Sequence, residues 1–359
     1  MVSLPSNHSQ EHTMKSRLLA AASALAVAAT ASLMAAAPAL ASADDAYTFG
    51  VIGDVPYGEA QVAQFPEMVS ELNQQDDLGF IAHVGDIKAG SAQCTDEYFA
   101  NIKEQFDRFE APLVYTPGDN EWVDCHRANN GSYNPLERLD TLRGMFFADP
   151  GKTLGGTMPV DSQAHLGLPE NVTFGKNRAA FSVINTQGSN NSLAPWSGLG
   201  LTEATNEQLD EVATRTAADV AQLQETFADA RRTNARAVVV MTQADMFDPF
   251  QLANGVEENP DQVSGFRPIV DALAAGARSF GGPVYLINGD SHSYNADQPL
   301  AAGSPWLEVY GQQPLGNLDR VTVEGAATSN EWMRFTVAPN AAATDEVLTW
   351  ERVPYTGTK

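Results

Sequence analysis

Short apolar runs alternate along this chain with longer segments whose apolar side chains recur every third or fourth residue. A continuous apolar run is typical of a buried strand, whereas the wider spacing is typical of an amphipathic helix. The runs predict strands at residues 47–52, 80–84, 113–115, 179–185, 237–241 and 284–288. The spaced segments predict helices at residues 60–75, 96–110, 135–147, 205–232 and 263–280. This alternation favours a mainly parallel sheet that is covered by helices.

From residue 306 onward the pattern changes to short alternating stretches that have no helical segment between them. They predict antiparallel strands at residues 306–310, 319–323, 332–337 and 347–352. Two stretches rich in Gly, Pro or Ser, residues 149–176 and 186–200, lack periodicity and predict long loops. No linker or internal repeat interrupts the sequence, so we expect one domain that joins the parallel half to the antiparallel half.

The N-terminal segment has the pattern of an export leader. Lys15 and Arg17 precede an apolar, alanine-rich stretch that ends in small residues near Ala43, which is typical of a secretory signal. A membrane anchor is the alternative, but the stretch is weakly apolar and contains Pro38 near its end. We therefore expect residues 1–43 to be a leader and export signal, and residues 44–359 to form a single domain. The mature protein is then expected to be secreted or periplasmic, without a membrane anchor.

Composition narrows the classes of partner. The chain has 359 residues, of which 43% are hydrophobic, and its formal net charge is −24 at pH 7. This length and apolar content allow a large core. The acidic balance argues against nucleic acid or an anionic membrane as a partner, because both attract basic surfaces. Solubility is the simplest explanation of the charge, and any anionic substrate must be attracted locally by metal ions or arginines.

The two cysteines, Cys94 and Cys125, leave two interpretations open. An exported protein with an even number of cysteines can form a disulfide. Two unpaired buried thiols are the alternative.

Four of the apolar runs end in the same pair of residues. These pairs are Gly53-Asp54, Gly85-Asp86, Gly118-Asp119 and Gly289-Asp290. A glycine lets the chain turn sharply at the carboxyl end of a strand, where open α/β sheets build their sites. Several carboxylates at one edge cannot all stay ionised without a cation, so the repetition indicates a metal site. Any one of these aspartates alone is equally well explained as a turn or helix-cap residue.

The order of these motifs resembles that of the calcineurin-like metallophosphoesterase superfamily, which includes the purple acid phosphatases, over roughly residues 47–294. The blocks of that family are Asp-x-His, Gly-Asp, Gly-Asn-His-Asp/Glu, a lone His after a strand, and Gly-His-x-His. The resemblance implies an α/β fold arranged as a four-layer α/β/β/α sandwich, with mixed sheets and antiparallel C-terminal strands. It also implies a site for two divalent metal ions.

The resemblance assigns metal ligands to the strand ends, and Asp86 would bridge the two ions. The implied metal-binding residues are Asp54, Asp86, Asp119, Asn120, Gln243, Asp290 and His292. The first block lacks its histidine, since Pro56 takes that position and is followed by Tyr57, a weak ligand or hydrogen-bond donor.

Other positions of the family pattern also differ. Asp119 takes the place of the metal-binding Asn, and Asn120 the place of the His that assists the leaving group. Which of these two binds metal is left open. Gln243 replaces the lone His, with a turn cap as its alternative role, and Asp290 replaces the first His of the last block. Carboxylates and amides in place of imidazoles favour harder ions such as Mg²⁺, Mn²⁺ or Ca²⁺ over Zn²⁺.

The activity that the resemblance implies is hydrolysis of a phosphate mono- or diester, on a small phosphorylated substrate, by a metal-activated water. Asn120 cannot protonate a leaving group, so the reaction needs another acid or a substrate with a good leaving group. His126 is the candidate acid, although a rim position beside Cys125 explains it as well, and Arg127 is the candidate phosphate ligand. The alternative function is a non-catalytic protein of the same fold that binds metal or a phosphate-containing ligand. His83, inside a strand, is expected to be a core histidine.

Overall fold

The computed structural model of the chain describes residues 45–340 and 346–356. The predicted leader, residues 1–43, lies outside the described residues, so the leader and the domain boundary stay predictions. No helix in the described part of the chain combines the length and the apolar character needed to span a membrane.

Strands and helices alternate through the first two thirds of the described chain. The strands, in chain order, are β1 (Tyr47–Ile52), β2 (Leu78–His83), β3 (Pro112–Tyr115), β4 (Leu154–Gly155), β5 (Asp161–Gln163), β6 (Leu168–Lys176), β7 (Ala179–Val183), β8 (Ala237–Met241), β9 (Val284–Asn288), β10 (Asn295–Asp297), β11 (Leu318–Thr322), β12 (Glu331–Val337) and β13 (Leu348–Pro354). The α-helices are Gly58–Leu72, Asp96–Phe106, Pro135–Phe146, Asn206–Arg232, Pro249–Ala253, Arg267–Phe280 and Trp306–Tyr310, and Gly188–Ser192 is a short helical turn with left-handed backbone. Short 3-10 turns lie at Val123–His126, Ala128–Asn130, Ala164–Leu166, Ser197–Leu199 and Pro260–Phe266.

The described strands form two mixed sheets. Across the first sheet the order is β13-β12-β1-β2-β3-β4, in which β1, β2 and β3 are parallel and the other neighbours are antiparallel. Across the second sheet the order is β10-β11-β9-β8-β7-β6-β5, in which β7, β8, β9 and β11 are parallel. Both sheets therefore contain a parallel centre whose carboxyl ends lie at one edge.

Three clusters of buried side chains establish the layers. Residues of both sheets pack against each other in the middle, where the rings of Phe49 and Phe181 lie 5.5 Å apart. A second cluster lies between the first sheet and the helices Gly58–Leu72 and Asp96–Phe106. A third lies between the second sheet and helices that include Arg267–Phe280. The structure thus confirms the predicted four-layer α/β/β/α sandwich with mixed sheets.

The long helix Asn206–Arg232 begins with a side-chain cap. The Thr205 hydroxyl accepts a hydrogen bond from the Gln208 N–H at 3.1 Å, which satisfies one of the free donors at a helix start. The Gln208 side chain does not complete a capping box. It donates instead to the carbonyls of Ser192 and Ala194 at 2.6 and 2.8 Å. This helix therefore holds the loop that follows β7, which contributes to the site below.

The prediction of a strand at Trp306–Tyr310 is wrong, because this segment is a short helix. Its buried residues are Trp306, Val309 and Tyr310, and that spacing is one face of a helix rather than of a strand. The next strand, β11, is consequently parallel to β9 instead of antiparallel, since parallel neighbours need a long crossover connection. The last two strands, β12 and β13, are antiparallel as predicted.

The prediction of a long loop over residues 149–176 is also wrong. This stretch contains β4, β5 and the nine-residue β6, which pairs antiparallel with β7. Buried Glu170 and Asn171 interrupt the apolar alternation of β6. Glu170 pairs with Arg143 at 2.6 Å, and Asn171 donates to Asp219 at 2.7 Å. Tertiary partners therefore permit a strand that its own pattern does not indicate.

A disulfide joins Cys94 to Cys125, which are both buried, with their Cα atoms 5.8 Å apart. It connects the loop after β2 to the loop after β3, and it resolves the two interpretations in favour of the disulfide. The loop that carries Asp119 to Arg127 is thereby fixed at Cys125.

We expect reduction of this disulfide to lower the free energy of unfolding by ~3–4 kcal/mol, because it removes a cross-link that constrains the unfolded chain. Urea unfolding with and without reductant measures the difference. The double variant Cys94→Ser/Cys125→Ser is the control and should show no response to reductant. An equal response in the wild type and the double variant would contradict the assignment.

Burial of His83 makes the free energy of unfolding depend on pH. The side chain is 1% exposed, and its Nε2–H donates to the Val55 carbonyl at 2.8 Å, as expected for a core histidine. Burial lowers the pKa of His83 to about 4. A lowered pKa favours the neutral ring in the folded state, so this stability is present above the unfolded pKa of about 6.5 and is lost as the pH falls through about 4.

Between pH 7 and pH 4, the free energy of unfolding of the wild type should fall by roughly 3 kcal/mol more than that of His83→Gln. The glutamine amide retains a donor for the Val55 carbonyl but does not titrate. Denaturant unfolding at several pH values measures both curves. Parallel curves for the two proteins would show that His83 titrates normally in the folded chain.

Candidate metal centre

Polar loops from both sheets meet at the carboxyl edge of the sandwich. Three of them follow the parallel strands β1, β2 and β3 of the first sheet, and three follow β7, β8 and β9 of the second. In order, they carry Asp54, Asp86, Asp119, Gly188, Gln243 and Asp290. The fold therefore brings together side chains that are up to 236 residues apart in sequence.

Two groups of potential metal ligands form at this edge, and they share Asp86. Asp54, Asp86 and His292 offer ligand atoms within 4.8 Å of one another, and so do Asp86, Asp119 and Asp290. A shared carboxylate between two such groups is the arrangement that a bridging ligand requires. Ligation by these residues stays a prediction, but the structure places them where the prediction needs them.

The backbone at four of these positions lies in the left-handed region. The φ angles are +55° at Asp54, +60° at Asp86, +77° at Asp290 and +62° at His292. Residues other than glycine rarely adopt this conformation, and it concentrates at functional sites. Backbone contacts hold it in place, since the Asp54 N–H donates to the Gly85 carbonyl at 3.0 Å and the Asp290 N–H donates to the Asp54 carboxylate at 3.1 Å.

The turn after β3 runs directly against Asp86. A Cβ atom on Gly118 would overlap Asp86 Oδ1 and would lie 2.5 Å from the Asp86 nitrogen. Because no other residue fits this approach, Gly118 is required for its lack of a side chain.

Glu121 connects these two turns through hydrogen bonds. Its Oε1 atom accepts hydrogen bonds from the N–H groups of Gly118 and Asp86, at 2.6 and 3.1 Å, and from the Tyr115 hydroxyl at 2.9 Å. Burial raises the pKa of Glu121 to about 7, and the charge of buried Lys88 favours its ionised form. Glu121 is therefore a positioning residue for Asp86 and Gly118.

Asn120 and Tyr57 contact Asp86 directly. The Asn120 side-chain amide donates to Asp86 Oδ2 at 2.8 Å and to the Tyr57 hydroxyl at 2.6 Å. The Tyr57 hydroxyl donates to the same Asp86 oxygen at 2.9 Å and lies 3.3 Å from His292 Nε2. Asn120 thus presents its nitrogen to the site, and Asn120 and Tyr57 together orient Asp86. This geometry favours Asp119 over Asn120 as the ligand.

Gln243 is fully buried and has both ends of its amide engaged. Its oxygen accepts from the Gly188 N–H at 2.6 Å, and its nitrogen donates to Asp119 Oδ1 at 3.3 Å. The backbone N–H of Gly188 fixes which end is the oxygen. In this arrangement Gln243 orients Asp119, and its role as a metal ligand through the second lone pair of its oxygen stays a prediction.

Ser189 is a site residue that the sequence analysis missed. Its hydroxyl lies 2.7 Å from Asp119 Oδ2 and 3.2 Å from Asp124 Oδ1. It belongs to a left-handed turn, residues 189–192, in which four successive φ angles lie between +52° and +66°. Each left-handed residue costs roughly 1–2 kcal/mol. The run of Ser and Asn at residues 189–192 tolerates this conformation better than most sequences, and it is the feature of the sequence that could have indicated the turn. The pattern predicted only a loop.

His126 and Arg127 are neighbours in sequence but contact different parts of the structure. His126 Nδ1 accepts a hydrogen bond from the Gly198 N–H at 3.1 Å, and burial together with the Arg127 charge lowers its pKa. His126 is in neither ligand group. Arg127 pairs with Asp124 at 2.5 Å, and its side chain is 45% exposed. A Cβ atom on Gly90 would lie 2.8 Å from Asn120 Oδ1 and 3.8 Å from Arg127 Nη1, so Arg127 lies at the rim beside Asn120.

The electrostatics of the cluster favour a bound cation. Burial, followed by repulsion from neighbouring carboxylates, raises the pKa values of Asp86 and Asp290 in the metal-free chain. Burial also raises the pKa of Asp54, whose contact with His292 opposes the shift. Four aspartates and one imidazole are a donor set that suits divalent ions with a preference for oxygen. The residues present therefore fit a metal centre.

Comparison with known proteins finds similarity at the level of structure. No family profile matches the sequence, and no curated protein matches it. A dimetal phosphatase from Danio rerio is 11% identical, with a TM-score of 0.45 over 86% of this chain and 99% of that one. A purple acid phosphatase from yellow lupin (Lupinus luteus) seeds is 12% identical, with a TM-score of 0.47 over 88% and 52%. A 5'-nucleotidase precursor from Thermus thermophilus is 10% identical, with a TM-score of 0.41 over 86% and 54%.

This chain spans about half the length of the lupin and Thermus proteins. Since the identities and TM-scores are low, the assignment of the fold rests on the chain's own strand order and layers.

We expect Glu121→Ala to lower the free energy of unfolding by roughly 2–5 kcal/mol, because it leaves the buried N–H groups of Gly118 and Asp86 without an acceptor. Glu121→Gln retains a carbonyl oxygen of similar reach and should cost much less. Urea unfolding of the metal-free proteins measures both. Equal losses in the two variants would show that the acceptor is not what Glu121 contributes.

Proposed function

We propose that this chain is an exported, metal-dependent phosphoesterase that hydrolyses a phosphate mono- or diester. The observation that carries the proposal is the pair of ligand groups that share Asp86. When bound there, two divalent ions would supply a water-derived nucleophile at neutral pH and neutralise charge on the phosphate. Export rests on the leader at residues 1–43, and N-terminal sequencing of protein recovered outside the cytoplasm would test it.

The chain's own residues divide into two sets of ligands. Asp54, Asp86 and His292 would hold one ion, and Asp86, Asp119 and Asp290 the other. Because carboxylates outnumber imidazole in both sets, Mg²⁺, Mn²⁺ or Ca²⁺ is favoured over Zn²⁺.

Arg127, at the rim of the site, is suited to bind the substrate's phosphate. Arg127 is half-exposed and held by Asp124, and a guanidinium has five donors, so N–H groups stay available for a phosphate. The Asn120 amide nitrogen already donates to Asp86 and Tyr57, so we expect the phosphate to be bound by Arg127.

Protonation of the leaving group sets the expected substrate class. Asn120 stands where the resemblance places a histidine, and an amide does not donate a proton to a departing alkoxide. The ring of His126 is directed toward Gly198 and has a lowered pKa. We therefore expect esters with good leaving groups, such as aryl phosphates, to be hydrolysed faster than alkyl phosphates.

A second candidate is a protein of the same fold that binds metal or a phosphate-containing ligand without turnover. The position of Asn120 favours it, since this side chain donates to Asp86 and Tyr57 and contributes no acid.

The purified wild-type chain should bind about two divalent ions per molecule and hydrolyse p-nitrophenyl phosphate or its bis ester. Asp86→Asn should bind fewer ions and lose at least about a hundredfold in activity, because the shared ligand is weakened. Elemental analysis after dialysis and release of nitrophenolate in Mn²⁺ or Mg²⁺ measure the two effects.

The matched control is Asp107→Asn, since Asp107 is 52% exposed and pairs with Lys103 in its own helical segment. It should behave as the wild type. Wild-type protein without bound metal would contradict the metal centre itself. Two bound ions without hydrolysis of aryl monoesters or diesters would favour the binding protein over the enzyme.

A further inference from the structure

The left-handed turn after β7 is held in place by many partners. Buried Arg215 donates to the carbonyl of Asn185 at 3.0 Å, to the carbonyl of Asn191 at 3.2 Å and to the side-chain oxygen of Asn191. The Asn190 side chain accepts from the Gly265 N–H at 2.8 Å. A conformation that is unfavourable for each residue is thus maintained by the surrounding structure, as at functional sites in other proteins.

The turn approaches the second ligand group very closely. A Cβ atom on Gly188 would lie 2.7 Å from Asp290 Oδ1 and 2.8 Å from Asp119 Oδ2. Gly188 therefore has to be a glycine for the turn to reach these carboxylates. The next residue, Ser189, then points its hydroxyl at Asp119.

Asp119 is oriented by one donor on each oxygen. Ser189 donates to Oδ2 at 2.7 Å and Gln243 donates to Oδ1 at 3.3 Å. A hydroxyl has one hydrogen, so the shorter contact makes Asp119 the main acceptor and leaves Asp124, at 3.2 Å, as the secondary one. The geometry fixes the plane of the Asp119 carboxylate relative to Asp86 and Asp290.

We infer that Ser189 is a positioning residue of the ligand group Asp86, Asp119 and Asp290. Its hydroxyl orients Asp119 and so sets the affinity for the ion on that side, while the group Asp54, Asp86 and His292 is unaffected. This inference rests on the metal centre of the proposed function. Partners of ligand residues commonly contribute about 10- to 100-fold to metal affinity.

The same turn contains a hydroxyl that serves as a comparison. Ser192 is also left-handed, with φ of +66°, and 1% exposed, but its hydroxyl has no hydrogen-bond partner among the described residues. A left-handed serine in this turn therefore does not by itself place its hydroxyl on a partner, whereas the Ser189 hydroxyl lies on Asp119.

The test is Mn²⁺ binding by the full chain of Ser189→Gly, with Ser192→Gly as the matched control. Glycine removes the hydroxyl and adopts the left-handed conformation readily, so the turn is retained. Isothermal titration measures the two affinities, and electron paramagnetic resonance detects the coupled pair of Mn²⁺ ions that a shared Asp86 would produce.

In Ser189→Gly, we expect the ion held by Asp86, Asp119 and Asp290 to lose about 10- to 100-fold in affinity while the other ion binds as in the wild type. The coupled signal should then be absent at metal concentrations that saturate the wild type. Ser192→Gly should match the wild type in both measurements.

Three outcomes would overturn the inference. If Ser189→Gly binds both ions as the wild type does, the hydroxyl does not position Asp119. If both ions weaken equally and the melting temperature falls, Ser189 has a general structural role. If the wild type binds no Mn²⁺, the metal centre fails, and the proposed function fails with it. The first two results would leave the proposed function standing.

Discussion

Repulsion among closely spaced carboxylates is the constraint on which the arrangement at this edge of the sandwich depends. Asp54, Asp86, Asp119 and Asp290 lie close together at the strand ends, and burial raises the pKa values of Asp54, Asp86 and Asp290. Among the described residues, His292 lies beside Asp54, and Lys88 is buried beside Glu121. These two side chains supply less positive charge than the four carboxylates supply negative charge. Divalent cations would satisfy this excess of negative charge, and the surrounding loops are shaped to leave the carboxylates facing one another.

Neutral donors hold the carboxylates in fixed orientations. Asn120 and Tyr57 donate to Asp86, while Ser189 and Gln243 donate to Asp119. Side-chain amides and hydroxyls thus orient both carboxylates without adding positive charge to the cluster.

The sandwich itself makes this possible, because each ligand group draws on both sheets. Asp54 and Asp86 follow strands β1 and β2 of the first sheet, whereas Asp290 and His292 follow strand β9 of the second. The apolar layer between the sheets, with Phe49 against Phe181, fixes the distance between these strand ends. A change in that layer would alter both ligand groups at once, since they share Asp86.

The order of residues alone specifies most strands, since β1, β2, β8 and β9 are continuous apolar runs, and it specifies which acids follow them. The prediction fails at Trp306–Tyr310 because a five-residue run fits either period, and at β6 because buried Glu170 has its partner far away in sequence. Folding decides which acids meet and which amides hold them. Ser189 shows the reason most clearly, since its own neighbours predict only a loop. Its place beside Asp119 exists because Arg215, distant in sequence, holds the turn in a left-handed conformation. Contacts of this kind depend on packing between elements, which no local pattern contains.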